Sequence, residues 1–271
     1  MHKLLDTIAR RFLPIRLREN LATFLLRRAY THSITLKAYL YLIHGYTLGR
    51  LDLRWNSKDV ILNYSGYEIR SPREGIGTFF EIFEDKVYDG YRIREGDIVV
   101  DVGAYVGTFT IKASLEVGDK GLVIAVEPEP RNLIYLGENC RNLPNTRIVE
   151  KALWSSAGQR DFYTSYASPC HSLVYKQKRK VKVWTETLDN IERNLSRNID
   201  YIKMDAEGSE LEILKGAEEV LKHPVRLSIA SYHVLSDGKP ESPEITKFLE
   251  ERGFKVDIDK TKRFIYAEKE V

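Results

Sequence analysis

The stretch Asp97-Ile98-Val99-Val100-Asp101-Val102-Gly103-Ala104-Tyr105-Val106-Gly107-Thr108 decides the fold. A short apolar run of strand type ends in Asp-Val-Gly, and from Thr108 to Leu115 apolar residues recur at helical spacing. Strand, glycine turn and helix in that order form a βα corner, and open α/β sheets bind ligands beyond the carboxyl ends of their strands. Gly103 and Gly107 let the backbone turn sharply and approach a ligand with no Cβ in the way. The spacing is GxxxG, whereas a dinucleotide fold uses GxGxxG with a pyrophosphate on the helix N-terminus. An acidic residue, Asp101, stands at the strand end instead. It suits a ligand with a cationic amino-acid end better than a diphosphate. The plain alternative is an ordinary glycine-rich βα turn.

Working outward, Leu122 to Val126 reads as the next strand and ends in Glu127-Pro128, twenty residues beyond Gly107. A carboxylate there can accept both hydroxyls of a ribose. Pro130 to Cys140 reads as a helix. Thr146 to Glu150, Tyr201 to Met204 and Val225 to Ile229 read as buried strands, with helices over Leu211 to Leu221 and Ile245 to Glu251. Phe254 to Ile258 and Arg263 to Ala267 close the pattern. This rhythm predicts a mostly parallel sheet covered on both faces. The strand Tyr201–Met204 delivers Asp205-Ala206-Glu207-Gly208-Ser209-Glu210. Strand-like alternation would set Asp205 and Glu207 on one side, with Glu210 on the following helix as a dipole partner.

Three of these segments, DVGAYVGTFT (101–110), AVEPEPRNLIYLGENC (125–140) and IDYIKMDAEGSELEILKGA (199–217), carry a resemblance. The chain resembles the FkbM family of S-adenosylmethionine (SAM)-dependent methyltransferases over roughly Gly96 to His233. Ser172-Leu173 and Val183 to Asp189 match two further family elements. The family pattern closes with a glutamate near a histidine, but here Ile229-Ala230-Ser231-Tyr232-His233 keeps only the histidine. The resemblance implies a Rossmann-like class I methyltransferase fold: a mostly parallel seven-stranded sheet with helices on both faces. It implies SAM as cofactor, with Asp101, Gly103, Tyr105, Gly107 and Thr108 around its methionine part. Glu127 would hold the ribose, Pro128 and Asn132 the adenine edge, and Lys151, Ala152 and Leu153 the adenine face. Asp205 and Glu207 would face the reaction centre.

For transfer to a hydroxyl, a base is needed. His233 and Asp205 are the two candidates, and Asp205 could instead hold the acceptor or the amino end of SAM. Asp205, Glu207 and His233 could alternatively bind a divalent metal, although no metal is assigned. Cys170-His171 reads as loop rather than nucleophile pair, because adjacent residues rarely face each other correctly. Lys176, Lys178, Arg179, Lys180 and Lys182, beside Tyr175 and Trp184, read as a solvated hairpin.

The 271 residues suffice for one large domain with an appendage, and a 43% apolar content argues against disorder. The net charge of +3 is too weak to argue for nucleic acid. It is unevenly spread. Lys3, Arg10, Arg11, Arg16, Arg18, Arg27, Arg28, Lys37 and Arg50 face only Asp6 and Glu19, which leaves residues 1–50 at about +7. Amphipathic spacing predicts helices there, interrupted at Pro14. The expected organisation is a basic helical appendage (1–46), a mixed α/β connecting region (47–95) and the SAM-binding domain (96–271). Val60 to Tyr64 and Tyr67 to Arg70 read as strands, and Phe79 to Tyr88 as a helix. The appendage is expected to cap the active site. Alternatives are contact with an anionic membrane surface and a homodimer contact. Cys140 and Cys170 make no disulfide framework, no apolar run approaches the ~20 residues of a membrane span, and no signal peptide is read. A cytoplasmic protein, in places peripheral to the inner membrane face, is expected. The leading function is O-methylation of a hydroxyl on a sugar, glycolipid or secondary metabolite. The competing functions are an RNA methyltransferase and a non-catalytic SAM-fold binding protein.

Overall fold

The computed structural model describes residues 52–55, 59–64, 66–164, 179–233, 240–259, 261 and 263–270. The N-terminal helices, the Cys170-His171 pair, Ser172-Leu173 and most of the basic run lie outside the described residues. Those described fall into two units, which divide between Arg73 and Glu74.

The first unit holds an antiparallel three-stranded sheet, β1 (Asp52–Trp55), β2 (Asp59–Tyr64) and β3 (Tyr67–Pro72), in that order. Arg70 pairs with the buried Asp59 at 2.6 Å and ties β3 to β2.

The second unit opens with a helical stretch, Gly77–Phe79, that widens into a π turn over Phe80–Glu84. It is shorter than the helix expected over Phe79 to Tyr88. Asp85 N donates to Phe80 O and Val87 N to Glu81 O, so the coil loosens and stops. Next in chain order come β4 (Ile98–Val102), α1 (Thr108–Val117), β5 (Leu122–Val126), α2 (Pro130–Cys140) and β6 (Thr146–Val149). A small sheet follows, β7 (Ala152–Leu153), β8 (Gly158–Thr164) and β9 (Arg179–Glu186), then α3 (Leu188–Arg193). The chain ends with β10 (Tyr201–Met204), α4 (Glu210–Lys215), β11 (Val225–Ala230), α5 (Ser242–Glu250), β12 (Lys255–Ile258) and β13 (Phe264–Lys269).

The main sheet has seven strands in the order β12-β13-β11-β10-β4-β5-β6. All the pairings from β11 to β6 are parallel, and β13 runs antiparallel to both of its neighbours. The two-residue period sorts the strand side chains onto two faces. Val100, Val102, Ile124, Ile202, Met204 and Leu227 pack with Leu188, Ile213, Leu214, Ile245 and Leu249 on one face. Val99, Val123 and Tyr201 pack with Phe109, Ala113, Val117, Ile82 and Tyr88 on the other. This is the expected doubly covered sheet. It is also why β4 reads as an apolar run broken only by Asp101, since all five of its residues are buried.

One further element differs from expectation. The helix expected over Leu211 to Leu221 stops at Lys215, because Gly216 lies against the Trp154 carbonyl, where a Cβ would come within 2.4 Å. The basic run read as a solvated hairpin is, in its described part, the exposed strand β9, which pairs antiparallel with β8 and also parallel with β7.

Candidate active site

The chain runs outward from β4 to β5 and β6, then crosses back to β10 on the other side of β4. The cleft therefore opens at the carboxyl ends of β5, β4 and β10, the switch point of the sheet. Two strand spacings, roughly 10 Å, separate the ends of β5 and β10.

The glycine loop sits at the centre. Gly103 and Gly107 take φ of +71° and +88°, and Tyr105 takes +54°. Gly103 N and Ala104 N both donate to Val126 O, which fixes the loop to the end of β5. Gly103, Ala104, Tyr105 and Thr108 line the cleft. Gly107 does not; it caps α1 and faces Leu136 and Cys140. Burial pushes the Cys140 thiol up to about 12, which leaves it inert as a nucleophile.

Asp101 is placed differently from its sequence reading. It is fully buried behind the cleft wall, where Lys203 Nζ lies 3.0 Å from Oδ1 and Thr110 Oγ1 donates to Oδ2 at 2.6 Å. The cation that this carboxylate calls for is supplied by the protein. Lys203 also donates to the carbonyls of Val102 and Gly103, at 3.2 and 2.8 Å, and lines the cleft itself. Asp101 therefore anchors the glycine loop through Lys203 and does not touch the cleft.

At the β5 end, Glu127 accepts from Tyr105 N at 2.9 Å, Glu129 N at 2.9 Å and Asn132 Nδ2 at 3.2 Å. Burial raises its carboxyl to about 7 despite these donors. Glu129 caps α2 by accepting from Asn132 N, with Pro130 in the first helical turn. Pro128 and Asn132 line the cleft from this side, and Lys151, Ala152 and Leu153 from the small sheet. Lys151 is held by Glu186 at 2.9 Å.

At the β10 end, Asp205 and Glu207 both line the cleft. They do not alternate along a strand, because β10 ends at Met204 and Glu207 takes φ of +53° in a turn. They converge on His233 instead. Its Nε2 lies 3.7 Å from Asp205 Oδ1 and 3.6 Å from Glu207 Oε2, and its Nδ1 lies 3.1 Å from Glu210 Oε1. His233 is buried and does not line the cleft; its neighbour Tyr232 does. Burial pulls the imidazole down, but the Glu210, Asp205 and Glu207 carboxylates more than offset this and hold it at about 9. Burial, then the Asp205 charge, raises Glu207 to about 7.

Several functional side chains escaped sequence reasoning. Tyr88 OH donates to Asp205 Oδ2 at 2.7 Å. Glu81 and Thr78 line the cleft from the helical stretch before β4, which carries no motif. Burial raises Glu81, and the Asp205 charge adds to it. Lys203 had a signal, since a lysine inside an apolar strand needs a buried partner. Glu210 is completely buried at the start of α4, where its Oε1 accepts from Ala206 N, and it meets Glu241 from the turn before α5.

The described residues contain no helix long and apolar enough to cross a membrane.

Known proteins agree with this arrangement. The profile of the Methyltransferase FkbM domain matches residues 101–256, more than half of the chain. The hexuronic acid methyltransferase AglP of Haloferax volcanii is 31% identical over 173 residues, which cover 63% of this chain and 68% of that protein. The 31-O-demethyl-FK506 methyltransferase FkbM of Streptomyces tacrolimicus is 28% identical over 213 residues, covering 65% of this chain and 80% of that one. Among solved structures, an FkbM methyltransferase from Methylobacillus flagellatus superimposes with a TM-score of 0.52 at 18% identity. The match covers 70% of this chain and about half (48%) of that one, and speaks for the fold alone. The strand order, the glycine loop and the Asp-x-Glu-Gly-x-Glu block therefore belong together: the chain is a member of the FkbM family of SAM-dependent methyltransferases.

Proposed function

We propose that this enzyme transfers the methyl group of SAM to a hydroxyl oxygen of a sugar, glycolipid or secondary metabolite. The observation that carries this reading is the pairing of two carboxylates at opposite ends of one cleft. Glu127 ends β5, Asp205 follows β10, and the glycine loop lies between.

The residues present fit the cofactor. Glu127 accepts three hydrogen bonds yet lines the cleft, which leaves about one lone-pair site, on Oε2, for a ribose hydroxyl. Gly103, Ala104, Tyr105 and Thr108 receive the methionine part. Pro128, Asn132, Ala152 and Leu153 offer a largely apolar slot for adenine. When bound, SAM supplies a methyl group on a sulfonium, an electrophile that needs only in-line position.

The chain's own residues do the rest. Asp205 takes the acceptor's proton, held in place by Tyr88 OH. His233 stands behind Asp205 and Glu207, with its Nε2 3.7 and 3.6 Å from their nearest oxygens. Glu81, Asp205 and Glu207, with the half-exposed Tyr232 ring, give a wall of acceptors beside an aromatic face, which suits a polyhydroxylated ring. The names of the two curated relatives, a hexuronic acid methyltransferase and a 31-O-demethyl-FK506 methyltransferase, support acceptors of this kind. We infer a cytoplasmic location.

The test is release of the demethylated cofactor on incubating the chain with SAM and a panel of sugars, glycolipids and hydroxylated macrocycles. Release that depends on a hydroxyl and stops when that hydroxyl is blocked supports the reading. Methylation of RNA, or of no acceptor despite tight SAM binding, sinks it.

A further inference from the structure

We propose that Asp205, Glu210 and His233 bind a divalent metal cation of the Mn2+ type at the acceptor end of the cleft. Each of the three offers one ligand atom, and those atoms lie within 4.8 Å of one another. The sequence alternative for a metal used Glu207 in place of Glu210. The structure brings Glu210 in from the start of α4 and leaves Glu207 Oε2 3.6 Å from His233 Nε2.

An acidic cluster alone does not make a metal site, but here the buried atoms lack partners. His233 is 5% exposed, and among the described residues its Nε2 has no hydrogen-bond partner. That nitrogen faces Asp205 Oδ1 at 3.7 Å, which is too long for a hydrogen bond. Asp205 Oδ1 is itself buried with no donor. A buried carboxylate oxygen that faces an imidazole nitrogen with no hydrogen bond between them is costly unless a cation bridges the two. Metal–ligand bonds of about 2.0–2.3 Å set neighbouring ligand atoms roughly 3–3.5 Å apart, so the three groups, within 4.8 Å of one another, would draw together on an ion.

The donor set selects the ion. Two carboxylates and one imidazole suit a first-row divalent ion better than Ca2+, which prefers oxygen alone. Three ligands leave positions open, and Asp205 borders the cleft. An acceptor hydroxyl coordinated there would have its pKa lowered. Glu241 stands behind Glu210 and orients it; its own Oε1 accepts from Leu211 N at 3.0 Å. The inference rests on the reading of this end of the cleft as the acceptor side.

The experiment is calorimetric titration of the full chain, stripped with chelator, with Mn2+ alone. SAM is titrated in parallel, without metal. One Mn2+ per chain is expected, bound at least about tenfold more weakly in both His233→Gln and Asp205→Asn. Asp205 borders solvent, so its variant guards against misfolding of the His233 variant, and thermal melts of both confirm the fold. No binding at about 1 mM Mn2+, or binding that either folded variant retains, overturns the site. SAM binding without Mn2+ binding would leave the methyltransferase reading standing and remove the metal. Mn2+ binding without SAM binding would do the reverse.

Discussion

Lys203 Nζ lies 3.0 Å from Asp101 Oδ1, with the two side chains 5% and 0% exposed, and the same ammonium holds the carbonyls of Val102 and Gly103. The ends of β10 and β4 are thereby joined by a buried ion pair directly beneath the glycine loop. Breaking a buried pair from one side strands a charge and costs roughly 3–5 kcal/mol. Lys203→Met is therefore expected to lower unfolding stability by about that amount in urea. Adding Asp101→Asn should recover part of the loss, because no bare charge then remains. SAM affinity should stay low in both, since neither restores the grip on Gly103 O. Additive losses in the double variant would show that the two residues act independently.

Glu127 gives a pH dependence with a definite sign. Burial raises its carboxyl to about 7. An acid raised in the folded state costs no stability while protonated in both states. The cost grows as pH rises from the unfolded value near 4.5 and is complete above about pH 7, where it amounts to roughly 3 kcal/mol. Cofactor binding runs the other way, because ribose hydroxyls are best accepted by the ionised form. SAM affinity should fall as pH drops below about 7, by up to about tenfold per unit. Glu127→Gln should bind SAM weakly at every pH and lose less stability than the parent between about pH 5 and 8. Calorimetry at about pH 6 and 8 on both chains checks this, and equal slopes would remove Glu127 from the ribose role.

How much of this was written in the sequence depends on how local the physics is. The βα corner at Asp101–Thr108 was legible because strand, turn and helix signals all fall within one short stretch. Leu122–Val126, Pro130–Cys140 and Tyr201–Met204 emerge with the expected bounds, because the two strands are mostly apolar and buried and the helix starts at Pro130 with helical spacing behind it. What failed was non-local. No periodicity links Asp101 to Lys203, so Asp101 read as a ligand contact when it is an anchor. No spacing announces that Glu210 will face His233, or that Tyr88 will reach Asp205 across 117 positions. The end of α4 was missed because the cause is the Trp154 backbone against Gly216, a contact between segments far apart in the chain.

Tyr88 offers a test of positioning. Its ring packs edge-on against Phe109 and Phe264, with centroids 5.7 and 5.5 Å away, and only its hydroxyl reaches Asp205. Phenylalanine keeps the packing and deletes one hydrogen bond to a carboxylate, worth about 1.5–3 kcal/mol. Tyr88→Phe is expected to leave SAM affinity unchanged and to lower kcat by about tenfold or more once an acceptor is known. A change in SAM affinity with kcat intact would place Tyr88 on the cofactor side instead.

Gly103 and Gly96 separate strain from collision. Both take positive φ, +71° and +86°. A Cβ on Gly96 would meet nothing within 4 Å, whereas one on Gly103 would lie 1.9 Å from the Asp205 carbonyl oxygen. Gly96→Ala therefore pays only for a left-handed backbone, about 1–2 kcal/mol, and should bind SAM normally. Gly103→Ala must also push the end of β4 away from the end of β10, and backbone does not yield as a flexible side chain can. It should cost well over 3 kcal/mol, and the chain that survives should bind neither SAM nor its product. Melting curves and SAM titrations on the pair decide the matter. Equal costs would mean that the loop relaxes freely, and that the close approach of Gly103 to Asp205 does not set the distance between the cofactor loop and the acceptor carboxylate.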